Sequence, residues 1–138
     1  MRLPLATLAL IGFASAVHPL TPELLPEITL KGGEAQVIPG TGVTLLLTLV
    51  EDGRCPADVD CVWEGMIRVE ITVMTAAPDL TQSVLCNACD DASGLATAAG
   101  LTIGLVSLSP SMVDLAKPGR APLVTDYELT MNYSPEGE

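Results

Sequence analysis

The residues best suited to chemistry or recognition lie in one segment, EDGRCPADVDCVWEG, which spans residues 51–65. Two cysteines in this segment enclose five residues, so a disulfide between them would close a short, rigid loop. Such a loop loses little conformational entropy when it binds a partner. The predicted binding-loop residues are the basic, acidic, proline and aromatic side chains of the segment: Arg54, Pro56, Asp58, Asp60 and Trp63.

The same segment also permits a structural interpretation, in which the disulfide staples the tip of a hairpin. Pro56 would stiffen that tip because its ring fixes φ. Trp63 would pack against the disulfide or cover one end of the core, and Gly65 would allow a close approach of two backbones. A third interpretation is a cation site built on Asp58 and Asp60, with Glu51 or Asp52 as a further ligand, although the acids lack the spacing of a calcium-binding loop.

A second cysteine pair occurs in CNACDD, residues 86–91, and has the C-x-x-C spacing. One alternative for the protein is therefore a thiol–disulfide oxidoreductase centred on Cys86 and Cys89. A reactive cysteine of this kind needs a helix N-terminus or a cationic neighbour to stabilise its thiolate. Here two aspartates and no helical pattern follow the pair, which favours a structural disulfide.

Another alternative is a metal-binding protein with cysteine and aspartate ligands. Four cysteines suffice for a structural zinc site, and Asp90 and Asp91 lie beside the second pair. An even number of cysteines in an exported chain instead favours two disulfides. The short closures Cys55–Cys61 and Cys86–Cys89 are the preferred pairing, each stabilising by about 2 kcal/mol in the chain-entropy description. We predict no resident metal and no cofactor.

Export is predicted from the first residues, which resemble a secretory signal peptide over 1–16. Arg2 gives a positive start, residues 3–13 are apolar, and Ala14-Ser15-Ala16 provides small residues at the cleavage site. Residues 17–138 then form a single exported β-domain, in the periplasm or outside the cell. After cleavage no segment is predicted to insert into a membrane.

Charge narrows the range of partners. After loss of residues 1–16 the chain has five basic and seventeen acidic residues, a net charge of −12. Nucleic acid is therefore not an expected partner, whereas a protein is. Hydrolytic catalysis is also disfavoured, because His18 is the only histidine and lies near the predicted new terminus. We predict a non-enzymatic domain.

Hydrophobic patterning indicates strands throughout. Residues 66–73 and 126–133 alternate apolar and polar side chains, which is typical of half-buried strands. Residues 43–50 are almost continuously apolar, which predicts a strand covered, or nearly covered, on both faces, and 101–109 is a further strand. Gly32-Gly33 suits a hairpin turn, and 94–100 suits a short helical turn. The predicted fold is all-β, a small antiparallel β-sandwich or partly open barrel of about six to seven strands.

The cysteine segment also resembles a motif of known proteins. Its pattern D-x-R-C-P-x-x-V-x-C-x-W-x-G, from Asp52 to Gly65, is similar to the hallmark of small exported bacterial β-domain proteins of uncharacterised function. A late Y-x-L pattern, Tyr127 and Leu129 here, accompanies it. The resemblance implies a signal peptide, a β-rich domain and a cysteine hairpin, and it implies no activity. Cys86 and Cys89 lie outside the pattern.

Overall fold

The computed structural model describes residues 24–56, 58–63, 65–77 and 80–137. Those residues form eight strands. The strands are β1 (Glu27–Lys31), β2 (Ala35–Val37), β3 (Thr44–Arg54), β4 (Gly65–Met74), β5 (Leu80–Cys86), β6 (Leu95–Ala98), β7 (Leu101–Ser109) and β8 (Glu128–Pro135). The predicted signal peptide over 1–16 and His18 lie outside the described residues.

The strands form two antiparallel sheets of four strands each. The first sheet has the order β1-β8-β7-β6, and the second has the order β2-β3-β4-β5. The predicted all-β sandwich is thus confirmed. The hairpin predicted at Gly32-Gly33 is wrong, because β1 and β2 belong to different sheets. Instead, Gly32 N donates to the Tyr127 carbonyl at 2.9 Å and Gly33 N donates to the Leu47 carbonyl at 3.1 Å.

The core lies between the inner faces of the two sheets, as the alternating patterns predict. In β4 the inner residues Val69, Ile71 and Val73 are buried, and in β8 Leu129 and Met131 are buried. The prediction that both faces of 43–50 are covered is wrong. Leu45 and Leu47 point into the core, but within residues 24–137 as described no further layer covers the outer face of this sheet, and Thr48 and Leu49 are exposed.

A bulge changes which residues of β3 face the core. The register shifts between Leu47 and Leu49, so that Thr48 is an extra residue on this strand. Beyond the bulge, Val50 pairs with the inward-facing Val69, and Asp52 lies two residues further along the same face. Without the extra residue, the opposite set of side chains would point inwards. The bulge therefore brings Asp52, and Arg54 after it, between the sheets.

The helical prediction for 94–100 is wrong, because β6 and β7 form a hairpin there. Ala99 and Gly100, the two residues of its turn, both have positive φ, 53° and 74°. These values are typical of the tight turns that match the twist of a hairpin.

Two short helical segments not predicted from the sequence lie between β7 and β8. They are α1 (Met112–Ala116) and a 3₁₀ turn (Val124–Asp126). Ser111 caps α1 by accepting a hydrogen bond from Asp114 N, and Leu115 reaches the core. In the part of the chain that the structure describes, no helix is long and apolar enough to span a bilayer.

Candidate functional site

The predicted cysteine hairpin is present at one end of the second sheet. β3 and β4 pair until Arg54 lies opposite Gly65. The disulfide Cys55–Cys61 closes the loop beyond them, with a Cα–Cα distance of 5.9 Å. Residues 55–63 are called the tip below. The other predicted pair, Cys86–Cys89, is also disulfide-bonded, with a Cα–Cα distance of 5.7 Å.

Immediately below the tip, Asp52 and Arg54 form a bidentate ion pair, called the clamp below. Arg54 Nε donates to Asp52 Oδ1 at 2.8 Å, and Arg54 Nη2 donates to Asp52 Oδ2 at 2.7 Å. The other hydrogen bonds of the guanidinium cross to the end of β7 in the first sheet, where the carbonyl of Leu108 and that of Pro110, just after the strand, each accept at 2.9 Å. The clamp therefore joins the two sheets.

Burial distinguishes the clamp from the other ion pairs among the described residues, whose members are more exposed. The side chains of Arg54 and Asp52 are 18% and 5% exposed. The sequence predicts that Arg54 contacts a partner. The structure places its guanidinium inside the molecule, with hydrogen bonds to the carboxylate and two backbone carbonyls.

The clamp and its burial shift the pKa values of Asp52, Arg54 and the neighbouring Tyr127. Burial raises the pKa of Asp52, but the hydrogen bonds from the Arg54 side chain and backbone outweigh it, and the net pKa is lowered. The hydrogen bond to Asp52 raises the pKa of Arg54. Burial, together with the charge of Asp52, raises the pKa of the Tyr127 hydroxyl. At neutral pH the clamp is fully ionised and Tyr127 is neutral, an arrangement suited to stability.

Gly65 makes the close approach that the sequence suggests. Its φ is +86°, and a Cβ atom placed there would lie 2.6 Å from both the Arg54 Cα and the Gly53 carbonyl oxygen. Only glycine accommodates this combination of backbone conformation and contact distance without strain. Gly65 therefore fixes how the tip leaves the sheet.

The tip itself is exposed. Val59, Val62 and Trp63 are 53%, 92% and 67% exposed. Asp58 and Asp60 are exposed beside them, as is Pro56. The expectation that Trp63 covers one end of the core is wrong, because the residue is largely exposed and is not among the side chains of the core.

The second disulfide loop lies beside the base of the hairpin. Asn87, within that loop, accepts a hydrogen bond from Ile67 N at 2.7 Å and donates its own N–H to the Ile67 carbonyl at 3.2 Å. Arg68 binds Asp91 at 2.9 Å and approaches Glu51 at 3.5 Å. Sequence reasoning missed Asn87 and Arg68. The two-residue spacing between Cys86 and Cys89 was the available signal, since it forces a tight turn at a strand end.

The surroundings of the four cysteines bear on the two alternative functions, thiol–disulfide exchange and metal binding. Cys86 is buried and is followed by turn residues instead of a helix, so no helix N-terminus is present to activate it. The one cationic group beside this pair in the described residues is Arg68, whose Nη1 lies 3.8 Å from Cys89 Sγ and is already bound by Asp91. A cysteine metal site needs thiolates as ligands. Here the four cysteines form two disulfides, so none of their sulfurs is a thiolate. Within the described residues, no group of three or more His, Cys, Asp or Glu side chains could hold a metal ion.

Clefts flank the tip on both sides. One, of about 410 Å³, lies between Trp63 and the second disulfide loop, and is called the Trp63 groove below. It is lined by Gly53, Trp63, Gly65, Met66, Asn87 and Ala88. The other, of about 450 Å³, lies between the first disulfide loop and the α1 region. Its lining includes Pro56, Asp58, Leu115 and Arg120.

No protein-family model, curated protein or solved structure matches this chain.

Proposed function

We propose that the protein is an exported, non-enzymatic binding module that holds a protein partner at the tip. The observation that carries this proposal is the exposure of Val59, Val62 and Trp63 on a loop closed by a disulfide. Tryptophan is enriched among the residues that dominate binding energy at protein interfaces. The acidic residues Asp58 and Asp60 would form a polar rim around this apolar centre.

The base of the hairpin supports the proposal because it holds the tip without using the tip's side chains. The clamp anchors β3 to the first sheet, and Gly65 sets the path into β4. A tip held in this way loses little conformational entropy on binding. Large apolar side chains that contribute nothing to the core are thus presented on a rigid support.

The non-enzymatic assignment is supported by the state of the buried ionisable groups. Arg54 donates hydrogen bonds to both oxygens of the Asp52 carboxylate and to two carbonyls, and these bonds lower the pKa of Asp52, which makes it a weak proton acceptor. Two disulfides are typical of an oxidising compartment. With the predicted signal peptide and the resemblance to exported bacterial β-domains, they support a location in the periplasm or outside the cell.

The test is site-specific photo-cross-linking. A photoreactive amino acid replaces Val62, and the disulfide-bonded protein is irradiated with the exported proteins of its source cell. We expect a discrete covalent adduct, identified by mass spectrometry, because this side chain is 92% exposed at the centre of the apolar tip. The adduct should be lost when Trp63→Ser is added.

The matched control places the same photoreactive residue at Leu95, which is 63% exposed on β6 in the other sheet. It should not yield the same adduct. If both positions give the same products, or if Trp63→Ser leaves the adduct unchanged, the tip is not the contact surface.

A further inference from the structure

We infer that the Trp63 groove receives a basic segment of the partner, with a lysine or arginine side chain over the indole and apolar side chains beside it. This inference rests on the proposed function and names the chemistry of the partner. It is carried by the indole exposed at the wall of a groove and by the charges around that groove.

The groove has one aromatic wall, and the rest of its lining is partly polar and partly apolar. Met66 and Ala88 contribute apolar surface, while Gly53 and Gly65 leave room because they have no side chains. On the side opposite Trp63, the groove is bounded by the Cys86–Cys89 loop, which hydrogen bonds between Asn87 and Ile67 hold in place. A groove with both walls fixed is suited to an extended side chain with an apolar stem.

The charge around the groove is negative. Asp58 and Asp60 are exposed on the tip, and Asp90 is exposed directly after the second disulfide loop. Asp58 also lines the cleft on the other side of the tip, together with Arg120. The basic residues at this end are paired with carboxylates: Arg54 with Asp52, Arg68 with Asp91 and Glu51, and Arg120 with Asp126. At this end of the molecule the carboxylates therefore outnumber the cations.

An exposed indole and surrounding carboxylates favour the same ligand. The face of tryptophan attracts an ammonium or guanidinium group, and it is the best of the aromatic side chains for this interaction. Carboxylates around it steer a cationic partner towards the groove and disfavour an anionic one. The aliphatic stem of lysine or arginine would contact the apolar surface of Met66 and Ala88. The net charge of the whole chain, −11, adds to this steering.

Fluorescence gives a direct test, because Trp63 is the only tryptophan of the chain. The probe is a synthetic peptide of alternating arginine and leucine with glycine–serine ends, titrated into the disulfide-bonded protein. The comparison peptide replaces arginine by citrulline, which keeps the shape and removes the charge. We expect a saturable change of Trp63 emission with the arginine peptide, and binding at least about tenfold weaker with the citrulline peptide.

Variants separate local charge from net charge. Asp58→Asn with Asp60→Asn should weaken binding of the arginine peptide several-fold and reduce its dependence on salt. The control, Glu27→Gln with Glu136→Gln, removes the same number of charges from exposed positions near the opposite end of the sheets. It should leave the affinity nearly unchanged. Calorimetry with Trp63→Leu, which keeps an apolar side chain, should show binding roughly fivefold weaker.

The inference is overturned if the two peptides bind equally, if the two double variants behave alike, or if neither peptide changes the emission of Trp63. These outcomes differ from failure of the proposed function. Loss of peptide binding with an adduct that still depends on Trp63 would show a protein-binding tip with a partner of other chemistry. Loss of the adduct itself would remove both proposals.

Discussion

Residues 51–54 and residues 58–63 belong to the same hairpin, yet they lie in opposite environments. The first group contributes the clamp, in which Asp52 is 5% exposed and its carboxylate is bound by Arg54. The second group exposes Val62 and Trp63 at 92% and 67%. Polar side chains thus lie inside and apolar side chains outside, the reverse of the usual distribution.

This difference separates two roles within one motif. Buried charges persist only where they are paired and hydrogen-bonded, so the clamp serves the fold. Exposed apolar side chains on a fixed loop add nothing to that fold, so the tip is available for binding. Substitutions below and within the tip should therefore have unequal effects on stability.

The largest effect is expected for Arg54→Leu. Removal of the guanidinium leaves the Asp52 carboxylate buried without its partner and also removes the bonds to Leu108 and Pro110. The free energy of unfolding should fall by about 3 kcal/mol, measured by urea denaturation at pH 7. Arg54→Lys should fall between this variant and the wild type, because lysine keeps the charge and cannot form the bidentate contact.

The matched control is Arg120→Leu. Arg120 also binds an aspartate bidentately, since its Nη1 and Nη2 each lie 2.7 Å from an oxygen of Asp126. The side chain of Arg120 is 49% exposed, so water can replace the lost contact. The control should lose far less stability than Arg54→Leu. Equal losses would show that burial does not distinguish the clamp.

The next effect is expected for Gly65→Ala, which changes the junction between clamp and tip. The new Cβ would contact the Arg54 Cα and the Gly53 carbonyl, and the positive φ would be strained. The unfolding free energy should fall by about 2 kcal/mol or more. Gly40→Ala is the control, because Gly40 has φ +75° and nothing within 4 Å of its added Cβ. It should lose about 1 kcal/mol, from the backbone strain alone.

A smaller effect on stability, which depends on pH, tests whether the clamp stabilises the fold through the charge of Asp52. The pKa of Asp52 is lower in the folded protein than in the unfolded chain, where it is about 3.9. Its contribution to stability is therefore complete above the unfolded pKa and is lost as the pH falls through the folded pKa. The stability difference between wild type and Asp52→Asn should be constant from pH 7 to pH 5 and shrink below about pH 4. A difference that does not change with pH would contradict an ionised Asp52.

Sequence patterns predicted those features of the hairpin that depend on the spacing of neighbouring residues. Alternation over 66–73 identified β4 and its inner face, and cysteine spacing identified both disulfides. The burial of Arg54 could not be predicted in the same way, because an isolated Asp-x-Arg pattern suits a surface contact as well as it suits a buried ion pair. Its burial depends on the extra residue Thr48 in β3 and on carbonyls more than fifty residues away, at Leu108 and Pro110.

The sequence left the environment of Trp63 open for a related reason. A single tryptophan near a disulfide suits a buried position, since burial of its surface is favourable, and it also suits an exposed binding loop. The choice depends on whether the fold brings core surface within reach of the indole, which local patterns do not show. The exposed indole is informative, because a large aromatic side chain left in water by the fold indicates a surface with a use other than stability.

The smallest effect on stability is expected at the tip. Val62→Ser with Trp63→Ser removes two large apolar side chains, yet both are exposed, and substitutions at such positions usually change stability by no more than about 0.5 kcal/mol. Ile71→Ser is the comparison, because Ile71 is 1% exposed in the core and should lose several times as much. Urea denaturation of the three proteins measures this contrast. If the double variant at the tip lost as much as Ile71→Ser, the tip would be part of the folded core and its exposure could not support a binding role.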